Sequence, residues 1–515
     1  MPDLPVSHYR TMGGKGVHGM AHTVTHRRKR HIKCDETKPS CQKCATAGWK
    51  CDGYESRPAS VASTSPPASA LSIGSYAIPF RIPGSQKDRQ ILHYFCVQAS
   101  RDIAGFLDSE FWSRTVLEAS HHDTAVRHAL VSLSVLHLNY VTASDHSTVS
   151  RSDIIAQYGK ALRALGKRVE EATVDSTRVA LICCILFYCF ESTLGNSDAA
   201  MHHLQGGLRL LSQHRQSCGN RDSEGITALT RVFERLDLQA TMFDDGRVPY
   251  LDLTPVSIPE ELADRPFDNV VFSRLEDACD SLVTLQNRLF HFLTKNLHLK
   301  TFEEEFIPAV ILMEKQDLQD QFDKWKADFD KFAHHSDRCS RGNCGIPTLL
   351  IQWRVSHMLL EAEYPFNWSV FGAGPNPDAE EIISLARSVL KLTSERNASM
   401  GATTTLRRNF SSETGIIAPL FILAMKCSDR TVCDRATELL SMTQRREGLY
   451  DSESMAAIVR RFTAAKAQRS LDDGIIREGT NMPLETLFAE ELDKTMGGMD
   501  RRADYVQQTL STSFT

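Results

Sequence analysis

The chain has 515 residues, 42% hydrophobic and 24% charged, which suits a soluble, globular protein with one small module and one or two core-forming domains. The net charge of -5 hides an asymmetry, because residues 1–58 hold 11 Lys/Arg against 5 Asp/Glu while the remainder holds 48 against 59. A basic head on an acidic body is expected where one end meets a polyanion, although a basic tail without a partner has the same composition.

No apolar run of the secretory type stands at the N-terminus. The most apolar stretch, Val179 to Phe190, falls short of the roughly 20 residues needed to cross a bilayer. The expected compartment is therefore the cytosol or nucleus, with no membrane partner. Disulfides are rare there, so the 14 cysteines read as thiols or metal ligands. Cys183, Cys184 and Cys189 lie in an apolar helical run and read as small core residues.

In chain order, residues 1–20 show no periodicity and are expected to form a disordered arm, and 21–54 are basic and Cys-rich. Residues 55–85 are rich in Ser, Pro and Ala and read as a linker. From Gln86 to about 470 the pattern is helical, and 471–515 form a C-terminal tail. Asp123 is placed to cap a helix whose apolar side holds Val126, Leu130, Leu133 and Leu136. Asp153 to Glu171 repeats Ile154, Tyr158, Leu162, Leu165 and Val169 at helical spacing. Asp175 to Glu191 is apolar nearly all round and predicts a central buried helix. Ser197 to Gln213 carries Met201, Leu204, Leu208 and Leu211. Further helical patterns cover roughly 266–297, 301–333, 346–363, 377–396, 415–426, 431–444 and 452–468. Strand alternation is scarce and no strict repeat appears, so the expected fold is mainly all-α, with helices in antiparallel pairs.

The chemistry is concentrated in RRKRHIKCDETKPSCQKCATAGWKCDGYES. Cys34, Cys41, Cys44 and Cys51 are spaced C-x6-C-x2-C-x6-C. Thiolates at this density in a reducing compartment point to zinc, which favours soft ligands in a tetrahedron. A segment of 34 residues builds no core of its own, so metal-binding free energy there is also folding free energy. Pro39 and Gly48 suit the turns between ligand pairs.

This segment resembles the fungal zinc binuclear cluster, in which six cysteines, spaced C-x2-C-x6-C-x6-C-x2-C-x6-C, hold two zinc ions. Cys34, Cys41, Cys44 and Cys51 match the third to sixth cysteines, and Arg28, Lys29, Arg30, Lys33, Asp35, Lys38 and Pro39 match the characteristic fill. The resemblance implies a nuclear regulator of transcription that reads a short GC-rich half-site of double-stranded DNA with a short helix in the major groove. It places Arg30, His31 and Lys33 at base edges, where Arg or Lys donates to O6 and N7 of guanine. Arg28, Lys29, Lys38 and Lys43 then fall to phosphates. The run Arg27 to Arg30 also suits a nuclear-import signal.

One departure matters. The first two cysteines of the pattern fall on Val24 and Arg27, neither of which binds zinc. Three readings stay open: a misjudged exon boundary upstream of Arg28, replacement of the missing thiolates by His22 and His26, or a degenerate cluster with one zinc or none. The last would act through protein contacts rather than DNA.

The body resembles the fungal-specific transcription-factor domain found behind such clusters. The resemblance rests on Ala199 to Gly207 with Leu210-Leu211, on Gly415-Ile416-Ile417-Ala418-Pro419-Leu420-Phe421 leading to Cys427, and on Arg446-Glu447-Gly448. In that family the domain couples ligand or partner state, including co-regulators, to transcriptional output. Gly206-Gly207 marks either close helix packing or a helix break. His334, His335, Cys339 and Cys344 mimic a metal site within a polar loop. No nucleophile elbow, phosphate loop, dinucleotide fingerprint or zinc-protease helix motif is present, so an enzyme is not expected. The Pro- and Ser-rich linker does not suit a coiled coil, which leaves a monomer or a homodimer formed through the body.

Overall fold

The computed structural model describes Gln42, Thr46 and residues 84–473, apart from 108, 143–150, 172, 219–223, 245–246, 254–271, 300–301, 337–343, 373 and 400–407. The chain divides into two compact units, Met1–Ser69 and Ala70–Thr515. In the first, the Thr46 amide donates to Gln42 O at 2.9 Å, which closes one α-helical turn.

Among its described residues, the second unit consists of helices, their connecting turns and one small sheet. It opens with α1 (Gln86–Tyr94), a π-turn over Phe95–Ala99 and α2 (Ser100–Ala104). Ser85 and Asp88 form a reciprocal capping box at the start of α1. After α3 (Val116–His122), α4 (Thr124–Thr142) begins where the Asp123 carboxylate accepts from the amides of Ala125 at 2.7 Å and Val126 at 3.3 Å. Val126, Leu130, Leu133 and Leu136 are all buried, as the sequence predicts. Next comes α5 (Arg151–Val169), which differs from expectation: Ile154 and Tyr158 are buried, but Leu162 and Val169 lie on the solvent side. Leu162 follows the fully buried Ala161 at mid-helix, at the edge of the buried face, and Val169 closes the last turn.

α6 (Val174–Leu194) is the central helix, entered through a Thr173/Ser176 capping box and ended by Gly195 in the left-handed region at φ 86°. It is longer than its apolar run suggests, and 20 of its residues have the length and apolar character of a membrane span. That stretch is 78% buried inside the body, which makes α6 its core helix. α7 (Ser197–Cys218) packs along α6, with Leu204, Leu208 and Leu211 inaccessible. The helix runs unbroken through both glycines. A Cβ on Gly207 would sit 2.3 Å from the Phe233 ring, whereas one on Gly206 meets nothing within 4 Å. Close packing therefore explains Gly207 and leaves Gly206 without a steric reason.

α8 (Glu224–Phe243) follows, then α9 (Leu275–Lys295), α10 (Ala309–Ser336), α11 (Gly345–Ala362) and α12 (Pro377–Ser399). α13 (Ile417–Lys426), α14 (Arg430–Met442) and α15 (Ser452–Asp473) complete the described helices. The short strands β1 (Asn409–Ser411), β2 (Arg445–Glu447) and β3 (Tyr450–Asp451) lie in the order β1-β2-β3. β1 pairs parallel to β2 and β2 antiparallel to β3, with Ser411 opposite Glu447 and Glu447 opposite Tyr450.

Among the described residues, the apolar interior falls into three clusters. The first joins α1–α8 around Trp112, Phe187 and Phe233 and takes in Phe410 from β1. The second joins α11–α15 around Ile417, Leu420 and Leu440. The third fills the space among α9, α10 and α11 around Phe292, Phe322, Trp325 and Phe329.

Candidate DNA-reading segment and regulatory core

The proposed zinc ligands Cys34, Cys41, Cys44 and Cys51, the alternative ligands His22 and His26, and the DNA-facing Arg28, Lys29, Arg30, His31, Lys33, Lys38 and Lys43 all lie outside the described residues. So does Cys339. Cys344 is buried at the start of α11, and among the described residues no group of three or more His, Cys, Asp or Glu is placed to hold a metal ion.

In the body, the two later motifs that carry the resemblance meet at a single carboxylate. Glu447 of β2 is 1% exposed and accepts from the amides of Gly415 at 2.9 Å, Ile416 at 3.2 Å and Ile417 at 2.9 Å. These are donors that the first turn of α13 leaves without helical partners, and the helix dipole favours an anion there. Gly415 is required, because a Cβ would fall 2.3 Å from Glu447 Oε1. Pro419, in the first turn of α13, forfeits an amide that no helical carbonyl could have reached. Arg445 Nε lies 3.4 Å from Glu447 Oε1 and answers the buried charge.

The neighbours of Glu447 tie this turn to the first cluster. Arg446 Nη1 donates to Ser192 O, in the last turn of α6, at 2.9 Å, and its other terminal nitrogen pairs with Asp451 at 3.2 Å. Gly448 takes φ 54° and passes so close to Gln239 that a Cβ would overlap its side-chain oxygen at 1.8 Å. Gln239 of α8 accepts from Tyr188 OH at 2.6 Å and donates to Thr414 Oγ1 at 3.0 Å. The strand motif thus touches α6, α8 and α13 at once.

Two further buried charges stand beside it. Glu413 is 4% exposed and lies 3.0 Å from Arg235 Nε, while Arg235 Nη1 lies 2.7 Å from Asp280. Burial raises the Glu413 pKa and Arg235 opposes that rise. A cavity of about 20 Å³ opens beside Glu413, Gln286, Gln352 and Ser356, roughly the room one water requires. On α8, Asp237 is fully buried, pairs with Arg247 and accepts from the Leu251 amide at 2.8 Å, which fastens the segment after the helix.

Sequence reasoning missed α8 and, with it, Arg235, Asp237 and Gln239. The apolar spacing was present in Ile226, Leu229, Val232, Phe233 and Leu236. The polar residues interleaved with them pair inside the protein.

Residues 90–462 match the fungal specific transcription factor domain, and residues 26–60 match the fungal Zn(2)-Cys(6) binuclear cluster domain. The chain belongs to the fungal-specific transcription-factor family and is a transcription regulator with a zinc-cluster domain, not an enzyme. The family implies zinc binding, DNA binding and a nuclear location. The chain is 24% identical to the aspercryptin biosynthesis cluster-specific transcription regulator atnN of Emericella nidulans, across 83% of this chain and 84% of that protein. It is 35% identical to the transcription regulator lscL of Purpureocillium lilacinum, across 36% of this chain and 48% of that one. No solved structure matches.

Proposed function

We propose that the protein is a sequence-specific regulator of RNA polymerase II transcription that reads a short, CGG-like half-site through a zinc-stabilised basic helix. The observation that carries this reading is the Cys34, Cys41, Cys44 and Cys51 array with the adjoining basic run, inside the segment that matches the cluster domain. Those cysteines hold the metal, Arg30, His31 and Lys33 meet base edges, and Arg28, Lys29, Lys38 and Lys43 meet phosphates. The domains are a 1–20 arm, the 21–54 cluster, a 55–85 linker, the 86–470 body and a 471–515 tail. The body receives co-regulators, and the likeness to a cluster-specific regulator makes a biosynthetic gene cluster the favoured target class. The test is selection of bound sites from a random duplex library by the zinc-loaded protein. A CGG-like motif is expected, with Lys33→Ala flattening the preference at that motif; unchanged preference in the variant overturns the base-reading assignment.

Val24 and Arg27, standing where the family has cysteines, favour a second reading: a regulator with a degenerate cluster, holding one zinc or none, that acts through protein contacts. Failure of the zinc-supplied protein to select any duplex supports that reading over the first.

A further inference from the structure

Cys427 caps the end of α13 and Cys433 closes the first turn of α14, joined by a turn in which Asp429 caps α14 through the Thr431 amide at 2.8 Å. This geometry turns the Cys433 side chain back toward Cys427. Cys433 Sγ donates to Cys427 O at 3.0 Å, which sets the Cys433 thiol against the Cys427 residue. Cys427 is 6% exposed, but Cys433 is half-buried and opens the pair to solvent from its own side. We propose that Cys427 and Cys433 are an oxidisable pair, with Cys427 the sulfur that attacks a peroxide and Cys433 the thiol that resolves it into a disulfide.

The electrostatics agree with the geometry. The hydrogen bond from Cys433 brings the Cys427 thiol down to about 7, against the effect of burial and helped by the amides of Asp429 and Ser428. A shift in this direction favours the thiolate, which is the nucleophile. Other thiols are set the opposite way: burial pushes Cys183 and Cys189 well up, and partial desolvation raises even the exposed Cys96. In a reducing compartment a thiol pair of this kind is suited to transient oxidation rather than to a permanent crosslink.

The reaction balances with hydrogen peroxide as the oxidant. The Cys427 thiolate attacks one peroxide oxygen, an S–O bond forms, the O–O bond breaks, and the departing hydroxide takes a proton to become water. Cys433 then attacks the sulfenic sulfur, the S–S bond forms, the S–O bond breaks, and the second hydroxide leaves as water with the Cys433 proton. Two thiols are oxidised by two electrons in all and one peroxide is reduced to two waters; a dithiol reductant reverses the change.

Trypsin distinguishes the two thiols, because cleavage after Lys426, Arg430 and Arg435 puts Cys427 in peptide 427–430 and Cys433 in peptide 431–435. After peroxide treatment of the full chain and alkylation, a crosslinked species two hydrogens lighter than the sum of those peptides is expected. It should be lost on reduction and should form before oxidation at Cys96. In Cys433→Ser the crosslink should vanish and a sulfenic-acid trap should label Cys427 several-fold above every other cysteine. Both peptides remaining fully alkylated in the wild type, while other cysteines oxidise, overturns the proposal. That wild-type readout holds even where the variant fails to fold.

Discussion

The N-terminal segment and the helical body store their information differently. In the segment, the function proposed above lies in spacing: four cysteines at fixed intervals beside a basic run, with zinc the proposed source of their shape. In the body it lies in packing, with three apolar clusters joined by a few buried polar groups drawn from residues up to hundreds of positions apart. Short-range chemistry of the first kind is written along the chain, whereas chemistry of the second kind exists only after folding.

The sharpest way to break this comparison is to remove zinc. Chelation, or Cys34→Ser, should abolish selective DNA binding while leaving the helical circular dichroism and thermal midpoint of the body unchanged. A body that melted together with the metal site would show that the two regions are not independent stores.

The next largest effect should come from the Glu447 junction. Glu447→Ala removes the acceptor of three buried amides and the partner of Arg445, at an expected cost of about 3–5 kcal/mol in denaturant unfolding. Glu447→Gln keeps the shape and one good acceptor and should cost less. Equal losses in the two variants would mean that volume, not charge, holds the start of α13.

The glycine pair sharpens the point at smaller scale. Gly207→Ala drives a methyl into Phe233 and should destabilise by about 1–3 kcal/mol, less what alanine returns in helix propensity. Gly206→Ala meets nothing and should stabilise by up to about 1 kcal/mol. Similar shifts in both thermal midpoints would contradict the packing described for α7 and α8.

Why the sequence disclosed some of this and not the rest can be followed residue by residue. α4 was legible because its cap, Asp123, and its stripe of Val126, Leu130 and Leu133 are local features. Gly206-Gly207 was legible as special but not as to which glycine matters, since the deciding atom belongs to Phe233 on another helix. Leu162 and Val169 fit the stripe of α5 and are nonetheless exposed, because periodicity names a face and not how far a neighbour covers it. Glu447 stood out only as part of a resemblance: a glutamate in a short strand looks solvated until Gly415, 32 residues earlier, is brought against it. The sheet was missed because two- and three-residue strands are too short to show alternation.

The last predicted effect is a pH dependence within the first cluster. His203 on α7 is 2.8 Å from Tyr158 OH, and burial, helped by the charge of His202, brings its pKa down to about 4. A histidine with a depressed folded pKa contributes stability that is fully present above the ordinary value near 6.5 and is lost as pH falls toward about 4. Nearby Glu191 works the other way, because burial raises its pKa and its contribution is present at low pH and lost as pH rises through the folded value. The overall stability curve therefore mixes the two, and the variant His203→Gln separates them. The cost of that substitution should shrink by about 1–3 kcal/mol between pH 6.5 and pH 4, since the wild type alone must charge a buried imidazole in that range. A cost that stays level across the window would place His203 in solvent and dissolve its link to Tyr158.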